Sequence, residues 1–268
     1  MPLIVFAVFI FVWYVPVWLR QEKSKRLPFR TFLKSVLIGM FPVFIVALIF
    51  QILLGKARQA FGLPYIADKA FNSYLEAALT EELFKFLAAY LIIRKLDPQQ
   101  KSDYVLIFGA VGLGFEITET LMELESVLAG VVRGVFAMHI IWQFWMGLYY
   151  WEYRKSKEAG DSKSARKNLL ISLVVPFVLH GTNDFLSFVG LDQVQFIDEA
   201  LPEGIAAAED LPTRLESPEN WLVALALFIL IQLVFQIVTY IKALKASNET
   251  RKGIKEAEQF LSESETLS

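Results

Sequence analysis

Long apolar segments recur along the chain, and about 20 apolar residues are enough for a helix to cross the hydrocarbon core of a bilayer. Hydrophobic residues make up 55% of the 268 residues, and the mean hydropathy is +0.46. Because a soluble domain of this size is less apolar, we expect a multi-pass membrane protein. The predicted fold is an all-α bundle with seven spans, at residues 2–19, 34–54, 75–94, 104–122, 127–150, 168–189 and 220–243.

The first apolar segment lacks the flanks of a cleavable signal peptide. No basic region precedes it and no small-residue cleavage site follows it, so we interpret it as a retained span.

Lysine and arginine are concentrated in alternate loops of this predicted topology. Loops 20–34 and 151–167 contain six each, loop 122–126 contains none, and loop 190–219 contains only Arg214 beside eight acidic residues. Because cytoplasmic loops have an excess of these residues, we expect the N-terminus outside the cell membrane and the C-terminus in the cytoplasm.

Composition excludes several kinds of chemistry. The chain has no cysteine, which rules out disulfides, thiolate metal sites and a cysteine nucleophile. Its only two histidines are His139 and His180. The net charge of −2 gives no sign of a nucleic-acid partner.

Ionisable residues interrupt four of the predicted spans. Such residues cost free energy at membrane depth, so each is a functional hypothesis by default. With the predicted orientation, all of them fall between the bilayer midplane and the outer face. They are Glu81, Glu82 and Lys85 in the third span, Glu116 and Glu119 in the fourth, Arg133 and His139 in the fifth, and His180 and Asp184 in the sixth.

The spacing of these residues places some of them on one helix face. Glu81 and Lys85 are four residues apart and share a face. His180 and Asp184 have the same spacing, at which two side chains of one helix can bind one ion. Gln143 follows the other histidine by one turn, which makes it a potential hydrogen-bond partner of that ring.

This residue set suits a divalent metal. Zinc, the ion that we expect, accepts imidazole nitrogen and carboxylate oxygen and keeps a position for water. Bound metal lowers the pKa of that water to about 7, and a neighbouring glutamate can act as general base. Neither G-x-S-x-G nor H-E-x-x-H occurs, which disfavours a serine hydrolase and requires metal ligands from several spans.

Two other functions use similar residues. Buried carboxylates and histidines also form proton paths, so a proton-coupled transporter is one alternative. It predicts polar residues through the inner halves of the spans, where few occur. The other alternative is a non-catalytic membrane binding or immunity-type protein.

Four short motifs occur in an order that resembles the PrsW family of intramembrane metalloproteases, distant relatives of the CAAX prenyl endopeptidases and bacteriocin-immunity-type proteins. The motifs are EELFK at 81–85, FEITE at 115–119, RGVFAMH at 133–139 and HGTND at 180–184. The resemblance implies a protease acting on a membrane-anchored protein near the outer face.

The resemblance also implies residue roles and a catalytic core. The resemblance covers 74–190, the implied catalytic core, whereas hydropathy and orientation predict the whole bundle at 1–245 and a charged cytoplasmic tail at 246–268. The implied catalytic residues are Glu81, Glu82, Glu119, His139, His180 and Asp184. The last four would bind the metal or stabilise an oxyanion, and Lys85, Glu116 and Arg133 would support the site.

Overall fold

The computed structural model describes residues 9–23, 26–123, 137–203 and 218–266. Within these ranges the chain forms seven continuous helices and no strand, which confirms the predicted all-α class. The helices, α1 to α7, are Phe9–Arg20, Phe29–Phe61, 65–96, Lys101–Glu123, Met138–Glu158, Ser162–Glu203 and Pro218–Thr266.

Each described part of a predicted span lies in one of these helices, but the helices are longer. Helix α6 continues to Glu203 and α7 to Thr266, so the predicted tail extends α7. The extra length is possible because backbone hydrogen bonding along a helix does not depend on apolar side chains. Four described helical segments are long and apolar enough to cross a membrane: Phe29–Phe61, Lys101–Met122, Ser162–Val189 and Val223–Glu249. Arg133 lies outside the described residues.

The chain divides into two compact units, and the first comprises residues 1–46, 82–176 and 235–268. Helix α4 forms the core of this unit. In its most apolar window 78% of the residues are buried, against 17% to 28% in the other three candidate spans. Helix α5 and the first part of α2 pack against α4.

Glycines on α4 allow this close packing. A side chain at Gly109 would collide with the Phe144 ring, and one at Gly114 would collide with the Val36 carbonyl group. Glycine at these two positions therefore lets the neighbouring helices approach α4 closely.

A buried glutamine connects the α1–α2 loop to the start of α4. Gln21 Nε2 donates hydrogen bonds to Ser102 Oγ at 2.8 Å and to Asp103 Oδ1 at 2.7 Å. Its Oε1 accepts a hydrogen bond from the Leu27 N–H at 2.9 Å. All of its polar side-chain atoms therefore have partners, as burial requires.

The second unit comprises residues 47–81 and 177–234. Arg58 joins its two carboxylate partners, with Nη1 at 2.7 Å from Asp68 and Nε at 2.9 Å from Glu76. The Tyr74 hydroxyl lies 2.7 Å from Thr182 Oγ1. These contacts connect α2 with α3 and α3 with α6 inside this unit.

Helix α6 begins with a side-chain cap in the loop after α5. Asp161 Oδ1 accepts a hydrogen bond from the Ser164 N–H at 3.0 Å. Hydrogen bonds from the Ser164 side chain and backbone lower the pKa of the Asp161 carboxyl, because they favour its ionised form.

Candidate active site

Lys85 is a fully buried cation inside the first unit. Its Nζ donates a hydrogen bond to Glu82 Oε1 at 2.9 Å, contacts His139 Nδ1 at 2.7 Å and lies 3.9 Å from the Phe115 ring centroid. The other oxygen of Glu82 accepts a hydrogen bond from Gln143 Nε2 at 2.9 Å. These contacts offset the loss of hydration that burial imposes on the ammonium and carboxylate groups.

His139 lies in the first turn of α5 and contacts two carboxylates of α4. Its backbone N–H donates a hydrogen bond to Glu116 Oε2 at 3.1 Å, and its Nε2 lies 2.8 Å from Glu119 Oε2. An ammonium group can only donate, so Nδ1 accepts from Lys85 and Nε2–H donates to Glu119. Either ring nitrogen can bind a metal only after its present partner moves away.

Helices α4 and α5 can pack closely beside His139 because Gly112 has no side chain. A Cβ atom there would lie 2.6 Å from the His139 carbonyl oxygen and 2.7 Å from Gln143 Cγ. Glycine at this position therefore helps to bring the α4 carboxylates within hydrogen-bond distance of the histidine.

A second carboxylate–imidazole pair lies inside the second unit. His180 Nε2 is 3.2 Å from Asp184 Oδ2, one turn further along α6, and 3.8 Å from Glu81 Oε2. The other oxygen of Glu81 accepts a hydrogen bond from Gln51 Nε2 at 2.9 Å. Glu81 and His180 are both buried.

The two carboxylate–imidazole pairs share a connection in the sequence. Glu81 and Glu82 are consecutive residues of the helical segment Leu79–Leu96. Glu81 and His180 offer ligand atoms within 4.8 Å of each other, and so do Glu82 and His139. Nitrogen and oxygen donors of this kind are ligands for zinc and other divalent metals.

The structure adds two details to the sequence interpretation. Lys85 is within one turn of both Glu81 and Glu82, and it forms an ion pair with Glu82 at a spacing of three residues. Gln143 was expected to support His139, but its Nε2 donates to Glu82. Both spacings place residues on neighbouring positions of a helix, so spacing alone does not select the partner.

His180 contacts Asp184 at the expected spacing of four residues, and two carboxylates of α4 contact His139: Glu116, predicted to support the site, and Glu119, predicted as a metal ligand. Sequence reasoning missed Gln51 and Phe115. Gln51 is a single amide within an otherwise apolar run of α2, and that isolation was an available signal.

An α-helical, multi-pass membrane protein with buried glutamate–histidine pairs is the class that this fold and site define. A family model described as PrsW family intramembrane metalloprotease matches residues 27–202. A protein named Protease PrsW from Geobacillus kaustophilus (strain HTA426) is 28% identical over 171 residues, covering 62% of this chain and 71% of that relative.

A second Protease PrsW, from Clostridioides difficile (strain 630), is 25% identical over 182 residues, covering 64% of this chain and 74% of that relative. No solved structure matches the chain significantly. The chain belongs to the PrsW family, and it is a membrane-embedded protease with a protein substrate in the membrane.

Proposed function

We propose that the protein hydrolyses a membrane-anchored protein near the outer membrane face, at one metal-dependent site formed by both glutamate–histidine pairs. The observation that carries this proposal is the adjacency of Glu81 and Glu82 in α3, each paired with a buried histidine. The Cα atoms of consecutive residues are about 3.8 Å apart. The glutamate partners of His180 and His139 therefore lie at nearly the same level along α3.

The donor set fits a divalent metal. The predicted ligands His139 and His180 each lie beside a glutamate of α3, and zinc accepts imidazole nitrogen and carboxylate oxygen. Glu119 and Asp184 are the other predicted ligands, and each now contacts a histidine ring nitrogen. Carboxylates in that position orient metal-binding imidazoles, so they serve the site as ligands or as partners of ligands. When bound, the ion supplies Lewis-acid chemistry that makes water a usable nucleophile near neutral pH.

The contacts of the two glutamates favour different roles. Both oxygens of Glu82 accept hydrogen bonds, from Lys85 and Gln143, which holds that carboxylate in one orientation. Glu81 accepts a hydrogen bond from the neutral Gln51 amide and lies 3.8 Å from His180 Nε2, so its neighbour is a ring that can exchange protons. We assign Glu81 as the general base, which takes a proton from the attacking water and returns it to the leaving amine.

The outer location follows from the predicted orientation and can be tested separately. Because the chain has no cysteine, Asp192→Cys and Lys163→Cys each introduce a single thiol. In intact cells, an impermeant maleimide should label Asp192→Cys and leave Lys163→Cys unlabelled. The reverse pattern would place the site at the inner face.

The proteolytic mechanism is tested by mapping new protein termini in membranes of expressing cells. Membranes with wild-type protein should accumulate fragments cut near the outer boundary of a transmembrane segment. Glu81→Gln and Glu82→Gln should abolish these fragments, whereas the exposed control Glu158→Gln should retain them. The proposal is wrong if both site variants give the wild-type fragments.

A further inference from the structure

A cleft of about 330 Å³ is present in the first unit, away from the candidate active site. It is lined by residues near the start of α4, the second half of α5 and the later part of α7. Its polar lining consists of Lys101, Tyr149, Glu152, Lys242, Lys245 and Glu249. Three of these residues are lysines, which come from two different helices and share one concave surface.

The cleft lies where two candidate spans have their ends. Lys101 is the first residue of the candidate span Lys101–Met122, and the span predicted at 220–243 ends between Lys242 and Lys245. Lysine, tyrosine and tryptophan are enriched where spans meet the headgroup region. These span ends favour a position of the cleft at the level of lipid headgroups.

Two ammonium groups of the cleft are available to an anion. Glu152 Oε1 is paired with Lys101 Nζ at 2.5 Å. Lys242 Nζ donates a hydrogen bond to the Tyr149 hydroxyl at 3.3 Å and lies 4.8 Å from the Trp145 ring centroid. In the described ranges, neither Lys242 nor Lys245 forms an ion pair with a carboxylate.

The surface next to the cleft suits an acyl chain. Ile237, Val238 and Ile241 precede Lys242 on α7 and expose about half of their surface, at 50%, 43% and 46%. A lipid whose headgroup occupied the cleft would extend its chains toward the bilayer centre along such apolar side chains. A free phosphate ion would contact only the lysines and would gain nothing from this apolar surface.

We propose that this cleft binds the phosphate of an anionic phospholipid, with Lys242 and Lys245 as its cationic contacts. Basic pockets between transmembrane helices at the headgroup level are suited to such lipids. The inference concerns a binding site separate from the glutamates and histidines, so it stands whether or not the proposed proteolytic mechanism is correct.

Native mass spectrometry of the full chain in detergent tests the proposal with phosphatidylglycerol, phosphatidylcholine and glycerol 1-phosphate as probes. Wild type should retain phosphatidylglycerol and lose phosphatidylcholine under the same activation. The double variant Lys242→Ala/Lys245→Ala should bind phosphatidylglycerol roughly 10- to 30-fold more weakly, because each lysine contributes to the attraction. The charge-preserving variant Lys242→Arg/Lys245→Arg should bind nearly as wild type.

The matched control removes two lysines elsewhere. Lys163 and Lys167 lie on the exposed first turns of α6, and replacing both with alanine should leave phosphatidylglycerol binding unchanged. Equal losses in both alanine variants would overturn the proposal, since binding would then follow net charge. Equal retention of phosphatidylcholine would also overturn it, and so would glycerol 1-phosphate binding as tightly as the lipid.

Discussion

Lys85→Met tests whether the buried Lys85–Glu82–His139 cluster is held together by charge. Methionine keeps an unbranched chain of similar length, so the apolar packing changes little. The variant removes the ammonium that lies 2.9 Å from Glu82 Oε1 and 2.7 Å from His139 Nδ1. Breaking a buried ion pair by removing one partner costs about 3–5 kcal/mol. We expect the free energy of unfolding to fall by about 3 kcal/mol, roughly a 100-fold change in the equilibrium constant.

The assay is SDS-induced unfolding from dodecylmaltoside micelles, followed by the fluorescence of the six tryptophans. The control Lys163→Met replaces an exposed lysine and should change the unfolding free energy by less than about 0.5 kcal/mol. The double variant Lys85→Met/Glu82→Gln should recover part of the loss, because it removes the carboxylate left unpaired. A loss below about 1 kcal/mol for Lys85→Met, or no recovery in the double variant, would refute the reasoning.

Three further substitutions test individual buried or close contacts of the fold by the same unfolding assay. Gln21→Leu removes three hydrogen bonds and should cost about 1–3 kcal/mol, since it leaves Ser102 and Asp103 without that partner. Gly112→Val should cost about 1–3 kcal/mol because its Cβ atom would lie 2.6 Å from the His139 carbonyl oxygen. Arg58→Met should destabilise the protein more than the exposed control Arg166→Met, because Arg58 bonds two carboxylates. Losses no larger than those of exposed substitutions would contradict each expectation.

The helices could be predicted from hydropathy, but their ends could not. The transfer of apolar side chains into the bilayer selects the spans, whereas backbone hydrogen bonding lets a helix continue into water. This difference explains why α6 reaches Glu203, although the predicted span ends at residue 189.

The identity of the site residues was also readable from the sequence, because ionisable groups in apolar spans are conspicuous. The pairing of these residues could not be read from the sequence. Glu81 and Glu82 are both within one turn of Lys85, and only the rotation of α3 against its neighbours selects Glu82. The contact of Gln51 with Glu81 joins residues 30 positions apart, and no local pattern specifies it.

The central claim is that both histidines belong to one metal site, and metal analysis tests it most directly. Purified wild-type protein, loaded with zinc and freed of excess ion, should contain about one equivalent by mass spectrometry of the elements. His139→Ala and His180→Ala should each lose that equivalent, whereas the exposed control Glu158→Gln should retain it. A full equivalent of metal in either histidine variant, or none in the wild type, would contradict the claim.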